Sequence, residues 1–221
     1  MKRIPNQESI QAILFDFDGV VVQSEDVYDL ATTRLGKHFG VEIPEPFFES
    51  NRGIAERLFY ERFQSAFQLE VPLDELQTVG RKYLWDAFSQ AVSYTPGFHS
   101  FYAKMRKRVT GIALVTATPR PLLEQIFENS NIDVDFDHVV TSSDVENNKP
   151  APDPYLKACE LLHVEPGNAL VVEDSPTGLQ AASSAGCRTV AITTSCGRES
   201  LNKANFVVDS FGELEELLTI E

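Results

Sequence analysis

Short apolar segments separated by helical segments constrain the fold of this chain more than any other feature. Six of them are three to five residues long and rich in aliphatic side chains: Gln11–Phe15, Gly111–Val115, His138–Val140, Ala169–Val172, Thr189–Ile192 and Phe206–Val208. Most are separated by segments with helical spacing: Pro121–Asn129, Pro154–Leu162 and Gly178–Ala185. Strands that alternate with helices form βαβ units, whose right-handed crossovers bring the strand ends to one edge. The sequence therefore predicts an α/β fold with a doubly wound, mainly parallel sheet.

The stretch from Glu25 to about Tyr94 interrupts this alternation, because nothing in it has a strand pattern. Its apolar residues follow helical spacing in three successive sets, namely Val27, Leu30, Ala31, Leu35 and Phe39, then Ile54, Leu58, Phe59, Phe63, Ala66 and Phe67, then Leu76, Val79, Tyr83 and Ala87. We therefore expect residues 1–23 and 95–221 to form the core, with residues 24–94 inserted as an α-helical cap domain.

Two aspartates one residue apart follow the first apolar segment directly. Asp16 and Asp18 would lie near the carboxyl edge of the sheet, where open α/β folds bind ligands. Residues two apart on a strand share a face, so the two negative charges need a compensating cation. A polar turn is the alternative interpretation, since Asp18-Gly19 is a common turn pair.

Further polar residues follow the second and fourth apolar segments, with a lysine between them. These residues are Thr116-Ala117-Thr118, Lys149 in a proline-rich loop, and Glu173-Asp174. Each group alone has an ordinary explanation as a strand end, a solvated lysine or the cap of the next helix. The four groups together, in this order along the chain, predict a functional site.

This ordered set resembles the four signatures of the haloacid dehalogenase-like hydrolase superfamily. More narrowly, the chain is similar to the branch with a helical cap after the first strand, which contains β-phosphoglucomutases and many sugar-phosphate phosphatases. The resemblance extends from Ile10 to about Leu218. It implies a Rossmann-like core, Mg²⁺ as the cofactor and a small phosphorylated metabolite as the partner. The cap would be a mobile lid, with residues 21–24 and 93–97 as its connections.

The two aspartates suit phosphoryl transfer. A carboxylate such as Asp16 can attack phosphorus and form an aspartyl-phosphate. Asp18 is placed to protonate the leaving alkoxide and then to deprotonate the attacking water. The resemblance implies that dehalogenases, which attack carbon, lack an acid at the place of Asp18, so this residue favours phosphoryl chemistry.

The remaining signatures supply candidates for metal and phosphate binding. Mg²⁺ prefers oxygen ligands, which Asp16, the backbone carbonyl of Asp18 and Asp174 would provide. The family pattern implies that Glu173 holds metal-bound water. The predicted phosphate-binding residues are Thr116, the amide of Ala117, and Lys149.

β-Phosphoglucomutases carry a cap histidine and a cap arginine that this sequence does not match. Tyr28 stands in the place of the histidine, and Glu56 in that of the arginine, with Arg57 next to it. The lysine expected after the hydroxyl motif is Pro119, with Arg120 adjacent. We therefore predict hydrolysis of small phosphate monoesters, with sugar phosphates as the expected class. A sugar phosphomutase and a non-catalytic protein that binds phosphorylated metabolites are the alternatives. The candidate substrate contacts in the cap are Tyr28, Arg52 and Arg57.

Composition and charge argue against some classes of partner and location for this chain. A net charge of −14 argues against nucleic-acid binding, which requires a basic surface. No apolar run approaches the ~18 residues of a membrane span, and no apolar signal-peptide segment follows Met1-Lys2-Arg3. The odd number of cysteines, without metal-like spacing, predicts reduced thiols in a cytoplasmic protein. We expect a monomer or a weak homodimer.

Overall fold

The computed structural model describes residue 4 and residues 7–51, 54 and 56–218. In this part of the chain the strands are β1 (Ala12–Phe15), β2 (Val22–Gln23), β3 (Ser93–Tyr94), β4 (Gly111–Val115), β5 (His138–Val140), β6 (Ala169–Glu173), β7 (Arg188–Ile192) and β8 (Phe206–Val208). The α-helices are α1 (Glu25–His38), α2 (Glu45–Asn51), α3 (Glu56–Ala66), α4 (Leu73–Ala91), α5 (Phe98–Met105), α6 (Arg120–Asn129), α7 (Asp153–Leu162), α8 (Pro176–Ser184) and α9 (Phe211–Leu217). None of the described helices is long and apolar enough to cross a membrane.

Six strands form one parallel sheet in the order β5-β4-β1-β6-β7-β8. The first strand lies near the middle, with Ala12 opposite both Gly111 of β4 and Ala169 of β6. Every residue of β1, β4 and β6 is buried, as expected for parallel strands covered on both faces. All six predicted strands are present, which confirms the predicted doubly wound α/β fold. The carboxyl ends of the three central strands therefore lie side by side.

The two faces of β1 pack against different parts of the core. Phe15 contacts Phe98 and Phe101 of α5 in edge-to-face geometry, with ring centroids 5.4 and 6.0 Å away. Leu14 belongs instead to a buried cluster that includes Tyr155 of α7. Because successive side chains of a strand point to opposite faces, β1 is held from both sides. This packing fixes the position of the residue that follows the strand.

The chain divides into two compact units, one with Met1–Gln23, Tyr94–Leu123 and Asp133–Glu221, the other with Ser24–Ser93 and Glu124–Ile132. The second unit contains α1 to α4, with α4 packed along α1 and α3. Its core includes Leu35, Tyr60, Phe63 and Leu76. Within residues 24–91 every element that the structure describes is a helix, which agrees with the predicted inserted cap. The exact domain boundaries stay a prediction, and the structure groups residues 124–132 with this unit.

The sequence does not predict the two-stranded sheet that β2 and β3 form. Next to it, the backbone N–H of Thr95 donates to the carbonyl of Val21 at 3.0 Å. Strands of two residues are too short to produce an alternating apolar pattern, so the sequence indicates only the two connections of the cap there. The use of these connections as hinges stays a prediction.

Candidate active site

Asp16 begins a tight loop at the end of β1. Its backbone N–H donates to the carbonyl of Val172 at 3.0 Å, which extends the contact of β1 with β6 by one residue. At Gly19 the φ angle is 71°, a conformation that glycine adopts without steric cost. A Cβ atom at Gly19 would also overlap the Asp174 carboxylate and the Ser195 hydroxyl. The absence of a side chain at Gly19 therefore allows the loop to pack against Asp174.

Lys149 connects the ends of three neighbouring strands. Its buried Nζ donates to Oδ1 of Asp16 at 2.7 Å, to Oε1 of Glu173 at 2.8 Å and to the carbonyl of Val115 at 2.9 Å. All three protons of the ammonium group are thus used. Burial by itself would lower the pKa of Lys149, but the carboxylates of Asp16 and Glu173 raise it above its usual value. The side chain therefore supplies a fixed positive charge.

Glu173 is buried, and protein donors occupy both of its carboxylate oxygens. Oε1 accepts from Lys149 and from the Tyr155 hydroxyl (both 2.8 Å), and Oε2 accepts from the Asp174 N–H (3.1 Å), the Ser175 N–H (3.0 Å) and the Ser175 hydroxyl (2.9 Å). Burial alone would raise the pKa of Glu173, but Lys149 and the hydroxyl donors lower it. A Cβ atom at Gly178 would overlap this carboxylate, so the first turn of α8 leaves space for it. The predicted contact of Glu173 with metal-bound water stays a prediction.

Three carboxylates converge at this edge of the sheet. One oxygen from each of Asp16, Glu173 and Asp174 lies within 4.8 Å of the others. Burial raises the pKa of Asp16 to about 7, with Lys149 opposing the rise and the charges of Glu173 and Asp18 adding to it. Burial also raises the pKa of Asp174 well above its usual value, and the charges of Asp16 and Glu173 add to this rise.

The charge balance and the donor atoms of this cluster suit a hard cation. Lys149 contributes one positive charge against three carboxylates, so ionising all three leaves an excess of negative charge. Mg²⁺ prefers oxygen ligands of this kind and is often the largest charge in such a site. The residues present therefore fit the Mg²⁺ that the sequence predicts.

The two threonines after β4 are both buried, and each makes a contact within the loops of the site. The backbone N–H of Thr116 donates to the carbonyl of Val140 at 2.9 Å. The Thr116 hydroxyl oxygen accepts from the N–H of Thr118 at 3.0 Å. The Thr118 hydroxyl donates to Oδ2 of Asp18 at 3.1 Å. Ala117, between them, is exposed. Binding of phosphate by the Thr116 hydroxyl and the Ala117 amide stays a prediction.

The predicted cap contacts are described only in part. Tyr28 packs edge-to-face against Phe88, with ring centroids 5.6 Å apart. Arg57 is largely exposed and forms a surface ion pair with Glu61 at 2.9 Å. Arg52 lies outside the described residues. The substrate contacts of all three residues stay predictions.

Glu56 and Arg120 both form ion pairs with other residues of the protein. Glu56, at the predicted place of the cap arginine, binds Arg81 with both carboxylate oxygens at 2.7 and 2.8 Å. Arg120 donates to Asp144 at 2.6 Å and to the carbonyl of Val139 at 2.9 Å. The guanidinium of Arg120 is therefore paired within the protein.

Among the described residues, four with side chains that contact the predicted site are missing from the set predicted from the sequence: Thr118, Tyr155, Ser175 and Ser195. Thr118 had a recognisable signal, because a second hydroxyl follows Thr116 two residues later. Tyr155 lies in the apolar pattern of α7, and Ser195 follows β7 in a segment without a distinctive motif. Tertiary contacts bring these last two residues to Glu173 and Asp174, since α7 packs against β1 and β4 while β7 pairs with β6.

The fold and the site together define an α/β protein with a doubly wound parallel sheet and a cluster of carboxylates at the strand ends. The profile of the haloacid dehalogenase-like hydrolase family matches residues 13–192. The chain therefore belongs to this family, and the predicted family is confirmed.

Curated relatives and solved structures agree with this assignment. The chain is 30% identical over 178 residues to the Phosphorylated carbohydrates phosphatase of Thermotoga maritima, covering 80% of this chain and 82% of the relative. It is 28% identical to the Validoxylamine A 7'-phosphate phosphatase of Streptomyces hygroscopicus, covering 91% and 94%. The crystal structure of β-phosphoglucomutase from Clostridium difficile superposes with a TM-score of 0.76 at 25% identity, covering 95% and 97%. The predicted enzyme class, a phosphoric monoester hydrolase of this family, is thereby confirmed.

Proposed function

We propose that this protein is a Mg²⁺-dependent phosphatase that hydrolyses small phosphate monoesters, sugar phosphates among them, through an aspartyl-phosphate on Asp16. One observation carries the proposal. The buried ammonium of Lys149 holds the Asp16 carboxylate at 2.7 Å beside the oxygens of Glu173 and Asp174. A fixed carboxylate with a fixed cation and further oxygen ligands is the arrangement that phosphoryl transfer requires.

Asp16 and Asp18 divide the chemistry between them. An Asp16 oxygen forms a bond to phosphorus while the ester P–O bond breaks, and Asp18 gives its proton to the leaving oxygen to release the alcohol. Water then attacks phosphorus, Asp18 accepts its proton, and the bond to Asp16 breaks to release inorganic phosphate. The hydrogen bond from Thr118 to Asp18 supports this role, because it orients the carboxyl group that transfers the proton.

The residues around the two aspartates would bind the phosphate group and balance its negative charge. Lys149 orients Asp16 and offsets the negative charge of the phosphate, while Glu173 keeps Lys149 at this position. Thr116 and the Ala117 amide would donate to the other phosphate oxygens. Asp16, the Asp18 carbonyl and Asp174 would hold Mg²⁺, which when bound neutralises charge on the transferring phosphoryl group.

The residue at position 28 favours hydrolysis over the mutase reaction. Likeness to a β-phosphoglucomutase structure keeps a sugar phosphomutase as the second candidate. Tyr28, however, stands where the resemblance places the mutase histidine, and its ring packs against Phe88. A phenol does not replace an imidazole as a proton carrier near neutral pH, because histidine is the side chain that ordinarily changes its charge in that range. A non-catalytic binding protein would not need the intact set of Asp16, Asp18 and Lys149.

The test is turnover of a panel of phosphate monoesters with Mg²⁺ and with EDTA. We expect release of inorganic phosphate only with Mg²⁺, and loss of turnover in Asp16→Asn, because an amide is a poor nucleophile. Conversion of β-glucose 1-phosphate to glucose 6-phosphate without phosphate release would instead support the mutase. Binding of esters without either reaction would support the non-catalytic alternative. Full turnover by Asp16→Asn would refute the covalent mechanism.

A further inference from the structure

Ser195 lies in the segment after β7, which contributes none of the residues predicted from the sequence. Its hydroxyl donates a hydrogen bond to Oδ2 of Asp174. The sheet explains this contact, because β7 pairs in parallel with β6, with Ala191 opposite Glu173. The chain that leaves β7 therefore passes beside the strand end that carries Asp174.

We propose that Ser195 is a positioning residue that orients the Asp174 carboxylate for Mg²⁺, an inference that rests on the proposed function. The terminal torsion of an aspartate is broad, so the carboxylate plane needs an external constraint. A hydrogen bond to Oδ2 supplies that constraint and leaves Oδ1 for a cation. Partners of this kind orient metal ligands and tune affinity in many metal sites.

The type of donor is as informative as its position. Glu173 is paired with the ammonium of Lys149, which takes up its negative charge. The Asp174 carboxylate accepts a hydrogen bond from the neutral hydroxyl of Ser195, which orients the carboxylate and brings no positive charge of its own. The contact with Ser195 therefore orients Asp174 and leaves its compensating charge to a bound cation.

The loop around Gly19 restricts this pair further. A Cβ atom at Gly19 would overlap both Oδ2 of Asp174 and Oγ of Ser195. The backbone of the loop that carries Asp16 therefore packs directly against the hydrogen bond. This contact limits the space into which either side chain can rotate.

The experiment is calorimetric titration of Mg²⁺ into the substrate-free protein, which does not depend on catalysis. Ser195→Ala removes the hydroxyl, and Ser195→Thr keeps it. Ser200→Ala is the matched control, because Ser200 is an exposed serine of the same segment. We expect Ser195→Ala to weaken Mg²⁺ binding by about 10–100-fold. Ser195→Thr and Ser200→Ala should bind like the wild type.

Thermal unfolding separates positioning from a merely structural role. Without Mg²⁺, Ser195→Ala should remain folded, with a Tm lowered by no more than about 3–12 °C for the lost hydrogen bond. The further increase in Tm on adding Mg²⁺ should be smaller than in the wild type. Wild-type affinity in Ser195→Ala, or equal losses in Ser195→Ala and Ser195→Thr, would overturn the proposal for Ser195. Absence of Mg²⁺ binding by the wild type would instead refute the Mg²⁺ site of the proposed function, and Ser195 with it.

Discussion

Tyr155 provides a quantitative test of the buried network behind the proposed active site. Its hydroxyl is fully buried and donates to Oε1 of Glu173 at 2.8 Å. Burial raises the pKa of Tyr155 well above its usual value, and the charge of Glu173 adds to the rise, so the hydroxyl stays protonated and acts as a donor. Tyr155→Phe removes this donor and leaves the ring in place.

The expected cost follows from the charge and burial of the acceptor. A hydrogen bond to a charged group contributes about 1.5–3 kcal/mol to the free energy of unfolding. Glu173 keeps its bond to Lys149, so the loss should stay in this range. For a chain of this size each kcal/mol changes Tm by about 2–4 °C, which predicts a decrease of about 3–12 °C.

Tyr102→Phe is the matched control. The Tyr102 hydroxyl also donates one hydrogen bond, to the carbonyl of Asp135 at 2.5 Å, but this contact is exposed and the acceptor is neutral. Water can replace the lost donor there, so the change should be within about 0.5 kcal/mol. Both variants and the wild type would be compared by calorimetric unfolding without Mg²⁺. Equal losses in the two variants, or an unchanged Tm in Tyr155→Phe, would refute the assignment of Tyr155 to the charged network.

Three further predictions test other parts of the site. Lys149→Met should abolish turnover and destabilise the metal-free protein by about 3–5 kcal/mol, because it leaves two buried carboxylates without their cation; a stable, active variant in denaturation and phosphatase assays would contradict this. Asp18→Asn should lower kcat by about 10²–10⁴ with Mg²⁺ binding retained, whereas Asp174→Asn should lose Mg²⁺ affinity; equal losses of affinity in calorimetric titration would count against the division of roles. Gly178→Ala should destabilise the protein by about 1–3 kcal/mol, because its methyl group overlaps the Glu173 carboxylate. Gly212→Ala is its control, since the added Cβ would meet only Ser210 Oγ at 3.6 Å, and equal melting temperatures for the two variants would refute the steric argument.

The sequence was sufficient for the sheet because parallel strands are buried on both faces. Segments such as Ile112–Val115 are therefore continuously apolar, and their residue types stand out against the helices between them. The four signature groups were recognisable for a related reason. Asp16, Thr116 and Glu173 each follow directly after such a strand, so a parallel sheet places them at one edge. Lys149 lies instead in a proline-rich loop.

The rest of the site depends on tertiary contacts that leave no local pattern. In the sequence, Tyr155 fits the apolar pattern of α7. Its hydroxyl nevertheless donates to the carboxylate of Glu173, eighteen residues later in the chain. Ser195 is an ordinary loop serine until β7 is placed beside β6. Arg120 lies next to Pro119, which stands where the resemblance places a lysine, and the sequence gives no sign that Asp144 binds its guanidinium.

The most direct test of the central claim is the detection of phosphate bound covalently to Asp16. The protein would be mixed with Mg²⁺ and an excess of an intact phosphate ester that it hydrolyses. The reaction would be quenched in acid within one turnover, and the protein would be digested and analysed by mass spectrometry. We predict one phosphoryl group on the peptide that contains Asp16, lost on treatment with hydroxylamine and absent from Asp16→Asn. Turnover of the same ester with no trapped phosphate on this peptide, or with phosphate on another residue, would contradict the proposed mechanism.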